Sequence, residues 1–365
     1  MIDPTIHFSA DYERARRAFL AAAGRRRAQL SSLPIRRRGP RDEELAIDTA
    51  YIGPQEAGSL IIVTSGTHGV EGFAGSAIQH RLLTEQLDGL APPPTMGILL
   101  VHAVNPFGFA HLRRVNENNV DLNRNFLRHP DEHVPNPDYE ALFEAINPDS
   151  LDEESERARQ ARLLEFAREH GTRRLQEVLT CGQYTHRRGL QFGGVDEEES
   201  NQLVRRILRN ETRGARRIAW IDIHTGLGPY GRCEMISQAA PDAATYLRGR
   251  RWYGDSVRST VAGDSVTPYL NGDILDGGLV ELSSHAEVTP FAPEFGTYDI
   301  TRIFLAMRAD NWLHHHGDLE SKQAHSIKAE LLEVFRPASV EWQRVILDRG
   351  AQVLEQTRDG LIRDQ

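Results

Sequence analysis

The sequence predicts an α/β protein whose sheet is at least partly parallel. Ser59-Leu-Ile-Ile-Val-Thr64 is a short β-branched run bounded by Gly58 and Gly66, which reads as a strand buried on both faces. A glycine-rich turn follows it, then a helical stretch from about Ala74 to Leu87, a stiff connector at Pro92–Pro94, and a second apolar run from Met96 to Val101. Strand, turn, helix, connector and strand is the grammar of a βαβ crossover. The length of 365 residues suits one large α/β domain or two modest ones.

The other elements follow in order. Ala15, Ala18, Phe19 and Ala22 recur at helical spacing, which predicts a helix from about Asp11 to Arg27 with Ser9 as its cap. Leu45–Ile52 alternates as a strand does, and Gly53-Pro54 closes it. Asp138–Val178 interleaves Glu and Arg at spacings of three and four, the mark of a solvated helix face. Asp196–Leu208 predicts another helix, with four acids in its first turn and Arg205, Arg206 and Arg209 near its end, as the helix dipole prefers. Arg217–Ile223 returns to a strand, and after Ile300 the pattern is helical almost to the end. There is no internal repeat and no long low-complexity linker. The expectation is one domain over residues 1–365, with a core over about 45–310 and a helical insertion over about 130–215.

Composition excludes several functions. With 43 Lys plus Arg against 52 Asp plus Glu, the net charge of −9 argues against wrapping a phosphate backbone, so no nucleic-acid partner is expected. Arg25–Arg27 and Arg36–Arg38 read as solvated surface beside a loop. Two cysteines, Cys181 and Cys233, rule out a disulfide framework and a thiolate zinc cluster; they leave room for a single bridge, but two buried thiols are the expectation. The first residues lack a basic stretch followed by an apolar one, and no apolar run approaches the ~20 residues that span a bilayer. The expected location is the cytoplasm, with no membrane partner.

Three places put polar residues where a strand ends, which is where α/β proteins keep their sites. Ser65-Gly-Thr-His68-Gly-Val-Glu71-Gly places a His and a Glu three apart in a glycine-rich turn, where both can point at one ion. Taken alone, His-x-x-Glu fits a surface turn better. Trp220-Ile-Asp222-Ile-His224-Thr-Gly226 puts a histidine at a strand's C-terminal lip. Alone it reads as a packing residue; with His68 and Glu71 it completes two imidazoles and a carboxylate, which leaves a fourth position for water. Glu294, in Pro293-Glu294-Phe-Gly-Thr-Tyr298, is a carboxylate of the kind that accepts a proton from water and returns it to a leaving amine, or equally a surface acid. Between them, Arg113-Arg114-Val-Asn-Glu-Asn-Asn-Val-Asp121-Leu-Asn123-Arg124-Asn-Phe126 groups guanidiniums and amides that suit a substrate carboxylate and a developing oxyanion, or form an ordinary turn.

Together, His68-Gly-Val-Glu71, Val-Asp121-Leu-Asn123-Arg124-Asn-Phe126, Asp222-Ile-His224 and Glu294 occur in the order found in the carboxypeptidase A-like zinc metallohydrolases, the superfamily that also holds the succinylglutamate desuccinylases and aspartoacylases. The chain resembles a bacterial branch of it over about Leu60–Tyr298. The resemblance implies a three-layer α/β/α sandwich around a mixed, mainly parallel sheet. It also implies one zinc ion per chain held by His68, Glu71 and His224, with Glu294 as general acid/base. By the same likeness, Asn123 and Arg124 bind a substrate carboxylate. Arg114 polarises the scissile carbonyl, with Arg113 as its competitor, and Asp121 orients His68 through its second ring nitrogen.

Some features depart from the carboxypeptidase pattern. The zinc turn lacks the arginine many carboxypeptidases carry before the glutamate, a trait shared with the deacylases. The helical tail after Glu294 is carboxypeptidase-like, the long insertion is expected to roof the site, and Tyr269 and Tyr298 compete for the role of the tyrosine that closes on substrate. The expected activity is hydrolysis of an amide or peptide bond beside a carboxylate-bearing group in a small peptide or acylated amino acid. The alternatives are an N-acyl amino acid deacylase and a ligand-binding protein without turnover. No G-x-S-x-G elbow marks a serine hydrolase. The glycines at 66, 69, 72 and 75 form no phosphate loop, and His314–His316, in a helical segment, are expected at the surface.

Overall fold

The structure, a computed structural model, describes residues 3–90, 92–127 and 133–364. Eight strands, β1 (Gln29–Arg38), β2 (Glu44–Ile52), β3 (Ser59–Ser65), β4 (Met96–His102), β5 (Arg217–Gly226), β6 (Cys233–Ser237), β7 (Val257–Ser259) and β8 (Glu287–Gly296), form one mixed sheet in the order β1-β2-β4-β3-β5-β8-β6-β7. The central run β4-β3-β5-β8 is parallel, while β1-β2, β2-β4 and β8-β6 pair antiparallel.

Every residue of β3 and β4 is buried because helices cover both faces. Ile61 and Val63 of β3 and Ala219 and Ile221 of β5 pack toward the helices Gly72–Arg81 and Val340–Arg363. Their alternates Leu60, Ile62, Ile218 and Trp220 pack toward the helices Glu199–Glu211 and Ile274–Leu282. The two-residue period of a strand thus feeds two cores, and each buried aliphatic side chain contributes roughly 1.5–3 kcal/mol. Gly278 lets the second helix layer approach: a Cβ there would lie 2.2 Å from Trp220 Cζ3.

Several boundaries differ from the sequence reading. The first helix is Tyr12–Arg25, and its cap is Asp11, whose carboxylate accepts from the Arg14 N–H at 2.9 Å, not Ser9. The charged helix begins at Glu199, so Asp196 and Glu197 precede it and Glu198 is its cap residue; the Glu198 carboxylate instead accepts from the side chains of Asn116 and Asn118. Arg36–Arg38 end the edge strand β1, exposed beside the loop that follows it, as expected. That strand is exposed along almost its whole length, so no apolar alternation marks it. The tail is three helices, Ile300–His316, Lys322–Phe335 and Val340–Arg363. His316 is exposed, but His314 and His315 are half-buried. Cys181 and Cys233 are free and half-buried rather than buried.

The expected start of the insertion near residue 130 lies outside the described residues. Within it, helices Pro137–Ala141, Phe143–Ile146, Glu153–His170 and Thr172–Thr180 gather around their own apolar cluster of Tyr139, Leu142, Leu163 and Phe166. Among the described residues no helix is long and apolar enough to cross a membrane.

Candidate metal centre and active site

β3, β5 and β8 lie side by side and parallel, so their C-terminal ends open at one edge of the sheet. The chain leaves β3 for β4 on one side and returns to β5 on the other, which creates a crevice beyond β3.

Into that crevice the turn after β3 brings His68 and Glu71. Gly66 takes φ +66°, and Gly69 passes so close to the neighbouring backbone that a Cβ would sit 2.1 Å from the Gly108 carbonyl carbon. The amides of Gly69 and Val70 donate to the carbonyls of Arg114 and Arg113 at 3.0 and 2.9 Å, tying the turn to the arginine loop. One tight turn over Gly69–Glu71 then folds the Glu71 carboxylate back against His68. His224 arrives on β5, opposite Glu294 in the β5–β8 register.

The donor atoms converge. His68 Nδ1 lies 2.7 Å from Glu71 Oε1, and His224 Nδ1 lies 3.2 Å from Glu71 Oε2 and 3.3 Å from His68 Nδ1. Among the described residues this is the one group of three such donors whose ligand atoms all lie within 4.8 Å of one another, and all three residues are buried. Each second ring nitrogen faces a carboxylate: His68 Nε2 is 3.1 Å from Asp121 Oδ1, and His224 Nε2 is 2.5 Å from Asp222 Oδ2. Asp222 is held in turn by the hydroxyls of Thr64 at 2.5 Å and Thr67 at 2.8 Å, and Trp220 Nε1 donates to Thr64 at 3.1 Å.

Two imidazole nitrogens, one carboxylate and a carboxylate behind each imidazole fit a zinc ion. The electrostatics agree. Burial alone would lower the affinity of His224 for a proton, but Asp222 and Glu71 overcome it and hold the ring well above the usual histidine range. Burial pushes Glu71 up, yet the His68 charge and hydrogen bonds from both imidazoles pull it below the usual carboxylate range. The cluster is built to receive positive charge.

Glu294 is a different kind of carboxylate. Its Oε1 accepts from the Leu227 N–H at 2.8 Å, and burial together with the Glu71 charge pushes it up to about 8. It borders the same cleft as the three donors, which opens to solvent at its mouth.

The two arginines separate. Arg114 borders the cleft: its Nη1 donates to Asp121 Oδ2 and to Gln191 Oε1 at 3.0 Å, and its Nη2 lies 2.7 Å from His68 Nε2. Arg113 turns away, with Nε donating to Asp310 Oδ2 at 3.2 Å and Nη2 to Asn119 Oδ1 at 2.9 Å. Arg124 lines the cleft from the side. Its Nε and Nη2 donate to the Thr180 carbonyl at 2.9 and 2.5 Å, and among the described residues no carboxylate comes nearer than Asp121 at 4.0 Å. Asn123 Oδ1 accepts from the Ile274 N–H at 2.9 Å, which pins the arginine loop to a helix start.

Neither Tyr269 nor Tyr298 lines the cleft. Tyr298 donates to Glu333 at 2.5 Å under the Arg302 guanidinium, while Tyr269 is half exposed next to the cleft residue Leu270.

The insertion reaches the site through Thr180 and Gln191. The sequence reading named neither of them, nor Asp222 as the partner of His224. Asp222 had a signal, since Asp-Ile-His on a strand sends both polar side chains to one face. Gln191 had none.

A family model described as a protein of unknown function, DUF2817, matches residues 8–349. The chain belongs to the DUF2817 family. No curated protein matches this DUF2817 chain in sequence. Among solved structures, bovine thrombin-activatable fibrinolysis inhibitor in complex with tick carboxypeptidase inhibitor is similar, with TM-score 0.52 and 12% identity over 98% of this chain and 98% of that one. Carboxypeptidase A from Helicoverpa armigera aligns with TM-score 0.47 and 16% identity, covering 90% of this chain and 74% of its own. An aspartoacylase family protein from Mesorhizobium loti aligns with TM-score 0.37 and 14% identity over 81% and 68%. At such identities the likeness is one of fold. This DUF2817 chain has the α/β/α carboxypeptidase A-like architecture that its motifs implied.

Proposed function

We propose that this chain is a zinc-dependent hydrolase that cleaves an amide or peptide bond beside a carboxylate-bearing group, in the manner of a metallocarboxypeptidase. The observation that carries this reading is the convergence of His68, Glu71 and His224 beside Glu294 in one cleft. The ion would be held by His68 Nδ1, Glu71 and His224 Nδ1. When bound, zinc supplies a Lewis acid and lowers the pKa of a coordinated water.

The chain's own residues do the rest. Glu294 takes the proton from the attacking water and returns it to the leaving amine, a task suited to a carboxylate with raised proton affinity. Arg114 donates to the scissile carbonyl oxygen as negative charge develops there. Arg124 pairs with the substrate carboxylate; among the described residues the carboxylate nearest its guanidinium is Asp121, at 4.0 Å. Asp121 and Asp222 keep both imidazoles turned toward the ion. The net charge of −9 does not oppose an anionic substrate, because Arg114, Arg124 and the zinc ion, when bound, would set the local sign where that substrate sits.

One observation favours the N-acyl amino acid deacylase instead. Val70 stands before Glu71 where many carboxypeptidases carry arginine, and it is buried against Ile303 and Leu331 of the tail helices. Elemental analysis of untagged, chelator-free protein should find about one zinc per chain, lost in His224→Ala. Short peptides with free C-termini and N-acyl amino acids then form the substrate panel. Glu294→Gln should keep the metal and abolish turnover. Absence of zinc from the wild type, even after incubation with it, would refute the proposal. Zinc without turnover on either panel would leave a ligand-binding scaffold.

A further inference from the structure

Gln191 comes to the cleft from the insertion, and its backbone is held in an unusual state. It is 4% exposed and takes φ +58°, a left-handed conformation that a non-glycine residue keeps only when its surroundings impose it.

The surroundings are identifiable. The Gln191 carbonyl accepts from the Gln183 N–H at 3.0 Å, and the next carbonyl, of Phe192, accepts from the Asp121 N–H at 2.8 Å. Just upstream, Asn119 Nδ2 clamps the carbonyls of Arg187 and Gly189 at 3.1 and 3.3 Å. Asn119, itself at φ +62°, is fixed by Arg113 Nη2, and Arg113 is fixed by Asp310, which also takes Lys328 Nζ at 2.5 Å. A line of buried polar contacts therefore runs from the helix Lys322–Phe335 to this loop.

Its last link is the bond from Arg114 Nη1 to Gln191 Oε1 at 3.0 Å. The other hydrogen of Nη1 goes to Asp121. Both hydrogens of that nitrogen are thus committed, and Nη2 rests 2.7 Å from His68 Nε2, so the guanidinium plane is fixed at the edge of the cleft. An amide oxygen does this without cancelling charge; a carboxylate in its place would give Arg114 a further anion besides Asp121 and Glu71 and draw it off the substrate.

We propose that Gln191 is a positioning residue for Arg114, fixing the guanidinium plane so that it meets the substrate carbonyl, with Arg113–Asp310 as its distant anchor. This rests on the role given to Arg114 above.

The test uses zinc-loaded full-length protein and four variants: Gln191→Ala, Gln191→Glu, Arg114→Ala and the double Arg114→Ala/Gln191→Ala. Gln191→Ala should lower kcat about 10–100-fold, as misplaced oxyanion donors do, with KM within twofold and zinc content and Tm as in the wild type. Gln191→Glu should lose at least as much. In the Arg114→Ala background the second change should add nothing. A phosphonate dipeptide analogue, titrated by calorimetry, should weaken in step with kcat. Where alanine at φ +58° prevents folding, Gln191→Asn tolerates the backbone and leaves the amide one methylene short, with the same expectations.

Wild-type kcat in Gln191→Ala, or a loss in the double variant that multiplies that of Arg114→Ala, overturns the proposal. Wild-type kcat in Arg114→Ala overturns the role of Arg114 instead. A wild type inactive on every substrate fails the hydrolase reading, and phosphonate affinity across the same four variants still decides the Gln191–Arg114 coupling. Failure to bind the phosphonate as well overturns both.

Discussion

Replacing Glu294 by Gln should stabilise the metal-free protein, and by an amount that depends on pH. The Gln Oε1 keeps the hydrogen bond from the Leu227 N–H, so the substitution removes little besides a titratable proton. Burial, then the nearby Glu71 charge, raises Glu294 from 4.5 to about 8. At 1.36 kcal/mol for each tenfold change in proton affinity, this is roughly 4–5 kcal/mol favouring the neutral acid. Below pH 4.5 both folded and unfolded chains hold the proton, and nothing is lost. Between 4.5 and about 8 the unfolded chain has released it while the folded chain retains it, so stability falls as pH rises. Above about 8 both forms are ionised and the cost is constant.

Gln pays none of this. At about 2.1 cal/mol/K of unfolding entropy per residue, a chain of 365 residues shifts Tm by about 1.3 °C per kcal/mol. Thermal unfolding of chelator-treated wild type and Glu294→Gln should therefore show a gap of about 1 °C at pH 5 that widens to about 5 °C at pH 8. Saturating zinc should shrink the gap, because a cation on Glu71 cancels part of the field that raises Glu294. A gap that is the same at both pH values would refute the reasoning.

Asp222→Asn removes the carboxylate behind His224 and should weaken zinc binding about 10–100-fold, read by competition with a chromophoric chelator. Asp310→Ala leaves the buried Arg113 and Lys328 without their shared anion and should cost about 3–5 kcal/mol in urea unfolding. His102 is fully buried, stacks on Phe19 at 4.6 Å, and is lowered by burial to about 3. The unfolded chain takes a proton there below pH 6.5 that the folded chain refuses until about 3, so stability drops as pH falls through that window. His102→Gln should therefore lose about 2–3 kcal/mol less than the wild type between pH 7 and 4.5, measured by urea midpoints.

What the sequence disclosed follows burial. β3, β4 and β5 announce themselves because strands covered on both faces must be apolar throughout. The exposed edge strand β1 carries Ser, Gln and Arg and resembles a loop. His68, Glu71, His224 and Glu294 were readable because each sits at the end of such a strand, where a polar residue interrupts an apolar run. The choice between Arg113 and Arg114 was not readable. The two are adjacent, and only the buried Asp310, 197 residues from Arg113, turns one of them away. Gln191 was hidden for a similar reason: its importance comes from a left-handed backbone and from contacts made by Asn119 and Gln183, none of which has a local pattern.

The parallel register of β3, β5 and β8 also bears on how the site comes into being. Thr64 pairs with Asp222 across 158 residues, and His224 pairs with Glu294 across another 70. Parallel pairing over such separations closes long loops before it gains contacts, and it is intrinsically slow. During synthesis a chain that has not yet extended past β8 cannot hold His68, Glu71, His224 and Glu294 together. Capture of an ion by these residues would then be a late event that stabilises a finished fold by mass action, whereas in a zinc finger the ion starts the folding.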